Sequence, residues 1–210
     1  MNGPHQDQPV ESGGASLEEA TGAIILLHGR GATARSILDL AREFDRSDLA
    51  YLAPQAARRT WYPNSFMAPV EQNEPGRSSG LSRIGALIDS IQAEDIPHDR
   101  IVLIGFSQGA CLASEFVARN PRRYGGLAAL SGGLIGDTID PDEYKGDLEE
   151  TPVFLGCSDR DPHIPAERVH KTADIFEHLN AKVTKKLYEG MGHGVNQDEL
   201  DHINELLERI

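Results

Sequence analysis

The chain has 210 residues, 39% of them hydrophobic and 25% charged, a balance that gives a globular protein enough length to bury its own core. Its 33 acidic and 20 basic residues leave a net charge of −13, which argues against nucleic acid or an anionic membrane as a main partner. No run approaches the ~20 apolar residues of a membrane-spanning helix, so stable membrane insertion is not expected.

Residues 1–20 are rich in Gly, Gln, Ser and Asp and read as an N-terminal tail or an edge hairpin ahead of a single domain over 21–210. The opening MNGPHQDQPVESGGAS lacks the basic start and apolar centre of a signal peptide, so a cytoplasmic location is expected. Ile24–Leu27 is a short, continuous apolar run, the mark of a strand covered on both faces. Ile37, Leu38, Leu40, Ala41 and Phe44 then recur at helical spacing over 33–45, with Thr33 placed to cap the helix. Leu49–Ala53 reads as a strand stopped by Pro54, and 79–94 as an amphipathic helix. Ile101–Ile104 is the next strand and 107–120 the next helix, ended by Asn120-Pro121.

Strands follow at Gly126–Ser131, Pro152–Cys157 and 182–188, with helices at 166–179 and 196–209. Strand–helix alternation of this kind predicts an α/β fold, a mostly parallel sheet with helices on both faces and right-handed crossovers. Two connectors, 54–78 and 132–151, are too long to be simple links, and each follows a strand. Ligands bind at the carboxyl ends of parallel strands, so both loops are placed to shape a site. Cys111 and Cys157 have no metal-type spacing and are expected as free, buried thiols; nothing calls for a cofactor or a metal.

Gly105-Phe106-Ser107-Gln108-Gly109 lies between a strand and a helix. A G-x-S-x-G in that setting is the nucleophile elbow of the α/β-hydrolase fold: a sharp turn exposes the serine hydroxyl, and the glycines remove side chains that would clash. A serine needs a base, and eight histidines compete. His193 lies in Glu189-Gly190-Met191-Gly192-His193-Gly194, between a strand and the last helix, and the order Ser, acid, His favours it. The acid should follow the strand between them, where Asp159 and Asp161 have near-even claims. For an oxyanion, one backbone N–H would come from Gln108 and a second from Arg30 or Gly31 in His28-Gly29-Arg30-Gly31. That loop lacks the Lys-Ser/Thr of a phosphate-binding loop, which sets nucleotide binding aside.

Leu27-His28-Gly29-Arg30-Gly31, G-F-S-Q-G, Asp161-Pro162-His163-Ile164-Pro165 and Gly192-His193, in that order, resemble the carboxylesterase/phospholipase family of small α/β-hydrolases that includes the acyl-protein thioesterases. The resemblance spans roughly residues 22–209 and implies an α/β-hydrolase fold without a large lid domain. It implies Asp161 as the acid, because the family's acid directly precedes proline, and the backbone N–H groups of Arg30 and Gln108 as oxyanion donors. It departs from the family pattern at Ser158, Ala110 and Ala32, which bear on loop shape rather than on proton transfer. The implied activity is serine hydrolysis of carboxylic esters with short or medium acyl chains, lysophospholipids or thioesters, through an acyl-enzyme on Ser107. Trp61, Tyr62 and Phe66 are expected to wall the substrate pocket. A lactone hydrolase resembling dienelactone hydrolase and an inactive binding protein are the alternatives. The expected partner is a small-molecule ester, and a homodimer stays open.

Overall fold

A computed structural model describes residues 3–210. Seven strands form one sheet: β1 (Val10–Gly14), β2 (Gly22–Leu27), β3 (Leu49–Pro54), β4 (Ile101–Phe106), β5 (Gly126–Leu130), β6 (Pro152–Ser158) and β7 (Lys182–Tyr188). Their spatial order is β1-β3-β2-β4-β5-β6-β7, parallel throughout except for β1, which runs antiparallel to β3 with Val10 opposite Pro54. The helices are α1 (Ala34–Leu38), α2 (Gly76–Gln92), α3 (Gln108–Arg119), α4 (Ala166–His178) and α5 (Gln197–Leu207). Strand residues alternate between two cores. Ile25, Leu27 and Leu103 pack against α2, α3 and α4, whereas Ile24, Leu26 and Ile104 pack against α1 and α5. Among the described residues, no helix is long and apolar enough to cross a membrane.

The chain leaves β2 toward β3 on one side and resumes at β4 on the other, so strand order reverses between β2 and β4. The loops that end these two strands therefore open a crevice at the carboxyl edge. They are His28–Ala32 and the turn at Ser107.

Three stretches differ from the sequence expectations. The helix expected over 33–45 is only α1 followed by a tighter 3-10 turn at Asp39–Glu43, although Thr33 caps it in a reciprocal box with Ser36 at 3.1 Å. The helix expected over 79–94 starts three residues early, at Gly76, where a Cβ would collide with the Trp61 carbonyl. Its first turns look polar in the sequence, yet Arg77 and Ser79 are buried and partnered. Within residues 1–20, expected as a tail or edge hairpin, residues 3–9 lie against α2, with His5 buried.

The two long loops are ordered by buried charge. Glu115 of α3 is wholly buried; Arg77 and Arg119 each donate to its Oε1 at 2.5 Å, and Ile135 N–H and the Tyr144 hydroxyl donate to its Oε2 at 3.1 and 3.3 Å. Every oxygen of the buried carboxylate is thus satisfied, as burial of a charge requires. Arg168 of α4 donates to the Leu134 and Gly136 carbonyls and stands 5.6 Å from the centre of the Phe66 ring. Gly136 N–H donates to the Phe66 carbonyl at 2.7 Å, so the two loops are joined above the carboxyl ends of β3 and β5.

Candidate active site

Ser107 occupies the turn between β4 and α3 with φ 55° and ψ −117°, a region that L-residues rarely adopt. The turn is held by Ser107 N–H donating to the Leu130 carbonyl at 2.9 Å. Its two glycines are dictated by contact. A Cβ on Gly105 would strike the Gly109 carbonyl, and one on Gly109 would strike the Leu27 carbonyl. The serine hydroxyl is left at the start of α3, facing the crevice.

His193 comes to it from the loop after β7. Gly190 and Gly192 turn this loop at φ 63° and 78°. Asp159 Oδ1 accepts Gly190 N–H at 2.9 Å and Ser158 Oγ accepts Gly192 N–H at 3.2 Å, so the end of β6 pins both turns. Ser107 Oγ and His193 Nε2 are 2.9 Å apart, and His193 Nδ1 lies 2.7 Å from Asp161 Oδ2. The imidazole rests on the Phe106 ring, with His163 edge-on at 4.9 Å.

Asp161, not Asp159, is the carboxylate that the fold brings to His193. Its side chain is fully buried. Burial alone would raise its pKa, but hydrogen bonds from His193 and from the N–H groups of His163 and Ile164 outweigh that and hold the carboxyl below its usual range. An ionised carboxylate only accepts, so Nδ1 carries the hydrogen and Nε2 is free to accept the Ser107 proton. The Cys157 thiol lies 3.9 Å from Asp161 Oδ2, and burial, with that negative charge beside it, pushes its pKa up to about 12. Cys111 is likewise a buried, free thiol, pushed up to about 11 by burial.

Neither Arg30 N–H nor Gln108 N–H donates to another group among the described residues. Gly31 N–H, the alternative donor, is taken by the Arg59 carbonyl at 2.7 Å. The side chains of the two candidate donors serve the cleft wall. The Arg30 guanidinium donates to the Tyr62, Pro63 and Asn64 carbonyls. Gln108 accepts Trp61 N–H at 2.9 Å and donates to the Tyr62 carbonyl at 2.8 Å. The cleft has about 550 Å³ and is lined by Tyr62, Phe66, Cys111, His163 and Ile164 around Ser107 and His193. Trp61, expected as a wall residue, is instead wholly buried behind the wall, its indole N–H donating to the His28 carbonyl at 2.9 Å. Among the described residues no group of three or more His, Cys, Asp or Glu is arranged to hold a metal ion.

Motif reasoning quoted His28, Gln108 and His163 but gave no role to the Gln108 side chain or to the two imidazole rings. The signal for Gln108 was a polar residue opening an otherwise small and apolar helix, a buried position that must find partners.

Glu199 fastens the far end of the His193 loop. It forms a capping box with Asn196, its Oε2 accepting Asn196 N–H at 3.0 Å, while its Oε1 lies buried against Gly156 without a partner. Burial pushes its pKa up to about 7. A raised carboxyl stabilises the fold at pH below its unfolded value, and that contribution is lost as pH rises through 7. Glu199→Gln keeps the acceptor for Asn196 and removes the buried charge. It should be more stable than the parent by roughly 1–2 kcal/mol at pH 8 and show no gain at pH 5. Melting curves at the two pH values check this, and a pH-independent difference would refute it.

The family model described as phospholipase/carboxylesterase matches residues 10–210. The crystal structure of a phospholipase/carboxylesterase from Dyadobacter fermentans superposes with a TM-score of 0.93 at 41% identity, covering 96% of this chain and 97% of that one. Acyl-protein thioesterase 1 of Gibberella zeae is 26% identical over 92% of each chain. The Bacillus cereus carboxylesterase, at 18% identity, shares the fold with a TM-score of 0.75, covering 97% of this chain and 95% of that one. The chain therefore belongs to the phospholipase/carboxylesterase family of α/β-hydrolases, as an ester-cleaving serine hydrolase.

Proposed function

We propose that the protein hydrolyses carboxylic esters of short to medium acyl groups, with Ser107 as nucleophile, His193 as proton carrier, Asp161 as its orienting acid and the Arg30 and Gln108 N–H groups as the oxyanion site. The observation that carries this reading is the unbroken line from Ser107 Oγ through His193, both lining the cleft, to the buried Asp161, at 2.9 and 2.7 Å. Ser107 Oγ attacks the ester carbonyl while its proton passes to His193 Nε2. The carbonyl π pair moves to oxygen, which the two N–H groups stabilise. Collapse of this intermediate expels the alkoxide, which takes the proton from His193 and leaves as alcohol. Water then repeats the sequence on the acyl-enzyme, releasing the acid and restoring the serine hydroxyl.

Tyr62, Phe66 and Ile164 give the acyl group an apolar lining, and a cleft of about 550 Å³ suits a small ligand. The relatives named as acyl-protein thioesterases extend the proposal to thioesters, whose carbonyl chemistry is the same. A p-nitrophenyl ester series from acetate to palmitate tests acyl size; kcat/KM should peak between acetate and octanoate. A steady rise to palmitate would overturn the size assignment. A fluorophosphonate should add once per chain, at Ser107. Absence of both labelling and turnover would overturn the mechanism.

A further inference from the structure

The family match begins at residue 10, yet residues 3–9 ahead of it are tied into the fold. His5 N–H donates to Ser79 Oγ at 2.9 Å and Gln6 Nε2 to the Ser79 carbonyl at 3.0 Å. Arg83 donates to the Gln8 carbonyl at 2.8 Å, and Gln55 N–H to the Pro9 carbonyl at 2.9 Å. This strap carries the His5 imidazole into the interior, where the residue is 1% exposed.

Both ring nitrogens of His5 are used. Ala57 N–H can only donate, so Nδ1 accepts it, at 3.0 Å; the ring hydrogen then sits on Nε2 and is donated to the Trp61 carbonyl at 2.8 Å. His28 does the same on the other side of Trp61. It accepts Ala56 N–H at Nε2 and donates from Nδ1 to the Gly29 carbonyl at 2.8 Å. The two imidazoles flank the indole at 5.2 and 5.1 Å and take the N–H groups of adjacent residues.

The Trp61–Tyr62 segment is therefore gripped from both sides. Behind it, His5 holds the Trp61 carbonyl. In front, the Gln108 side chain holds Trp61 N–H and the Tyr62 carbonyl, and Arg30 holds the Tyr62 carbonyl as well. Gln108 and Arg30 are the residues whose backbone N–H groups form the proposed oxyanion site. The Gly29 carbonyl that His28 fixes belongs to the same planar peptide as Arg30 N–H, so fixing the oxygen aims the N–H.

We propose that His5 is a positioning residue for the oxyanion site: the strap formed by residues 3–9 sets the Trp61–Tyr62 segment at the register that Gln108 and Arg30 need in order to aim their N–H groups. This rests on the assignment of those N–H groups as oxyanion donors. It goes beyond the family chemistry, because the strap lies outside the matched segment.

His5→Phe keeps the packing against Trp61 and removes both ring nitrogens. Loss of a whole oxyanion donor costs roughly 10²–10³ in kcat, so a displaced one should cost about tenfold. The donors act only in the transition state, so KM for p-nitrophenyl acetate should stay within about twofold. Affinity for a boronic acid, which mimics the tetrahedral intermediate, should fall about as much as kcat. His5→Gln returns an N–H to the Trp61 carbonyl and should recover part of the loss. Wild-type kcat in His5→Phe, with only a lowered melting temperature, would overturn the proposal, as would a loss confined to KM. Should His5→Phe not fold, His5→Gln carries the test: kcat below wild type with KM unchanged supports the proposal, and wild-type kcat overturns it. Wild-type turnover abolished by Ser107→Ala marks the mechanism itself as sound, so failure of the strap proposal is separable from failure of that reading.

Discussion

Ser107→Ala is expected to lower kcat for p-nitrophenyl acetate by roughly 10⁵- to 10⁶-fold, the scale seen when a nucleophile that works as one unit with its base is removed. What remains comes from the oxyanion site and from substrate binding. A second substitution separates the chemistry from the backbone that presents it. At φ 55° and ψ −117° a side-chain-bearing residue stores strain of about 1–3 kcal/mol, and alanine inherits it unchanged. Glycine relieves it while losing about 0.5–1 kcal/mol to extra freedom in the unfolded chain. Ser107→Gly should therefore be as inactive as Ser107→Ala and more stable than it by about 1 kcal/mol, read from denaturant midpoints. Neighbouring positions offer no easier route to relief, because Gly105 and Gly109 are packed against backbone on both sides of the turn. A glycine variant less stable than the alanine variant would refute the strain reading; an alanine variant with wild-type turnover would refute the nucleophile.

Strain at this turn also explains how much of the site was legible beforehand. An elbow needs glycine two residues either side of the nucleophile for steric reasons alone, so the pattern at 105–109 carries its geometry in residue type. The parallel strands were legible for a similar reason. Strands buried on both faces must be apolar throughout, and β2, β4 and β5 are. Wherever polar residues are buried, the legibility ends. The start of α2, GRSSG, has the composition of a loop, and only the Arg77–Glu115 pair and the strap on Ser79 make it a buried helix. Those partners are 38 and 74 residues away in sequence, a distance over which periodicity carries no signal.

Trp61 shows the same limit from the other direction. A lone tryptophan in a long loop suggested a pocket wall, and its true place is a hydrogen-bonded wedge between two histidines behind that wall. The residues that touch the cleft, Tyr62 and Phe66, are held there by Gln108, Arg30 and Gly136. Backbone carbonyls provide most of those contacts. A sequence does not mark which carbonyls are free to accept, so the side chains that shape the cleft were less visible than those that face the substrate.

Asp161→Asn should reduce kcat by roughly 10³–10⁴-fold, while Asp159→Asn should stay within about threefold of wild type. Both changes swap a carboxylate for an amide of the same shape, so the contrast isolates what each oxygen does. Asp161 Oδ1 accepts two N–H groups, from His163 at 2.8 Å and Ile164 at 3.0 Å, and Oδ2 accepts from His193. An asparagine there has one oxygen, and leaving two backbone N–H donors unpaired costs more than leaving one. The oxygen therefore stays with the backbone pair, and the NH₂ turns to His193. That forces Nδ1 to accept and moves the ring hydrogen to Nε2, where it points at Ser107 and cannot take its proton. Asp159 meets one N–H, that of Gly190 at 2.9 Å, and an asparagine oxygen serves it equally well. Steady-state rates of the two variants, with melting temperatures to show that both remain folded, decide the matter. A severe loss in Asp159→Asn with near-normal turnover in Asp161→Asn would mean that the hydrogen bond between His193 and Asp161 plays no part in the reaction.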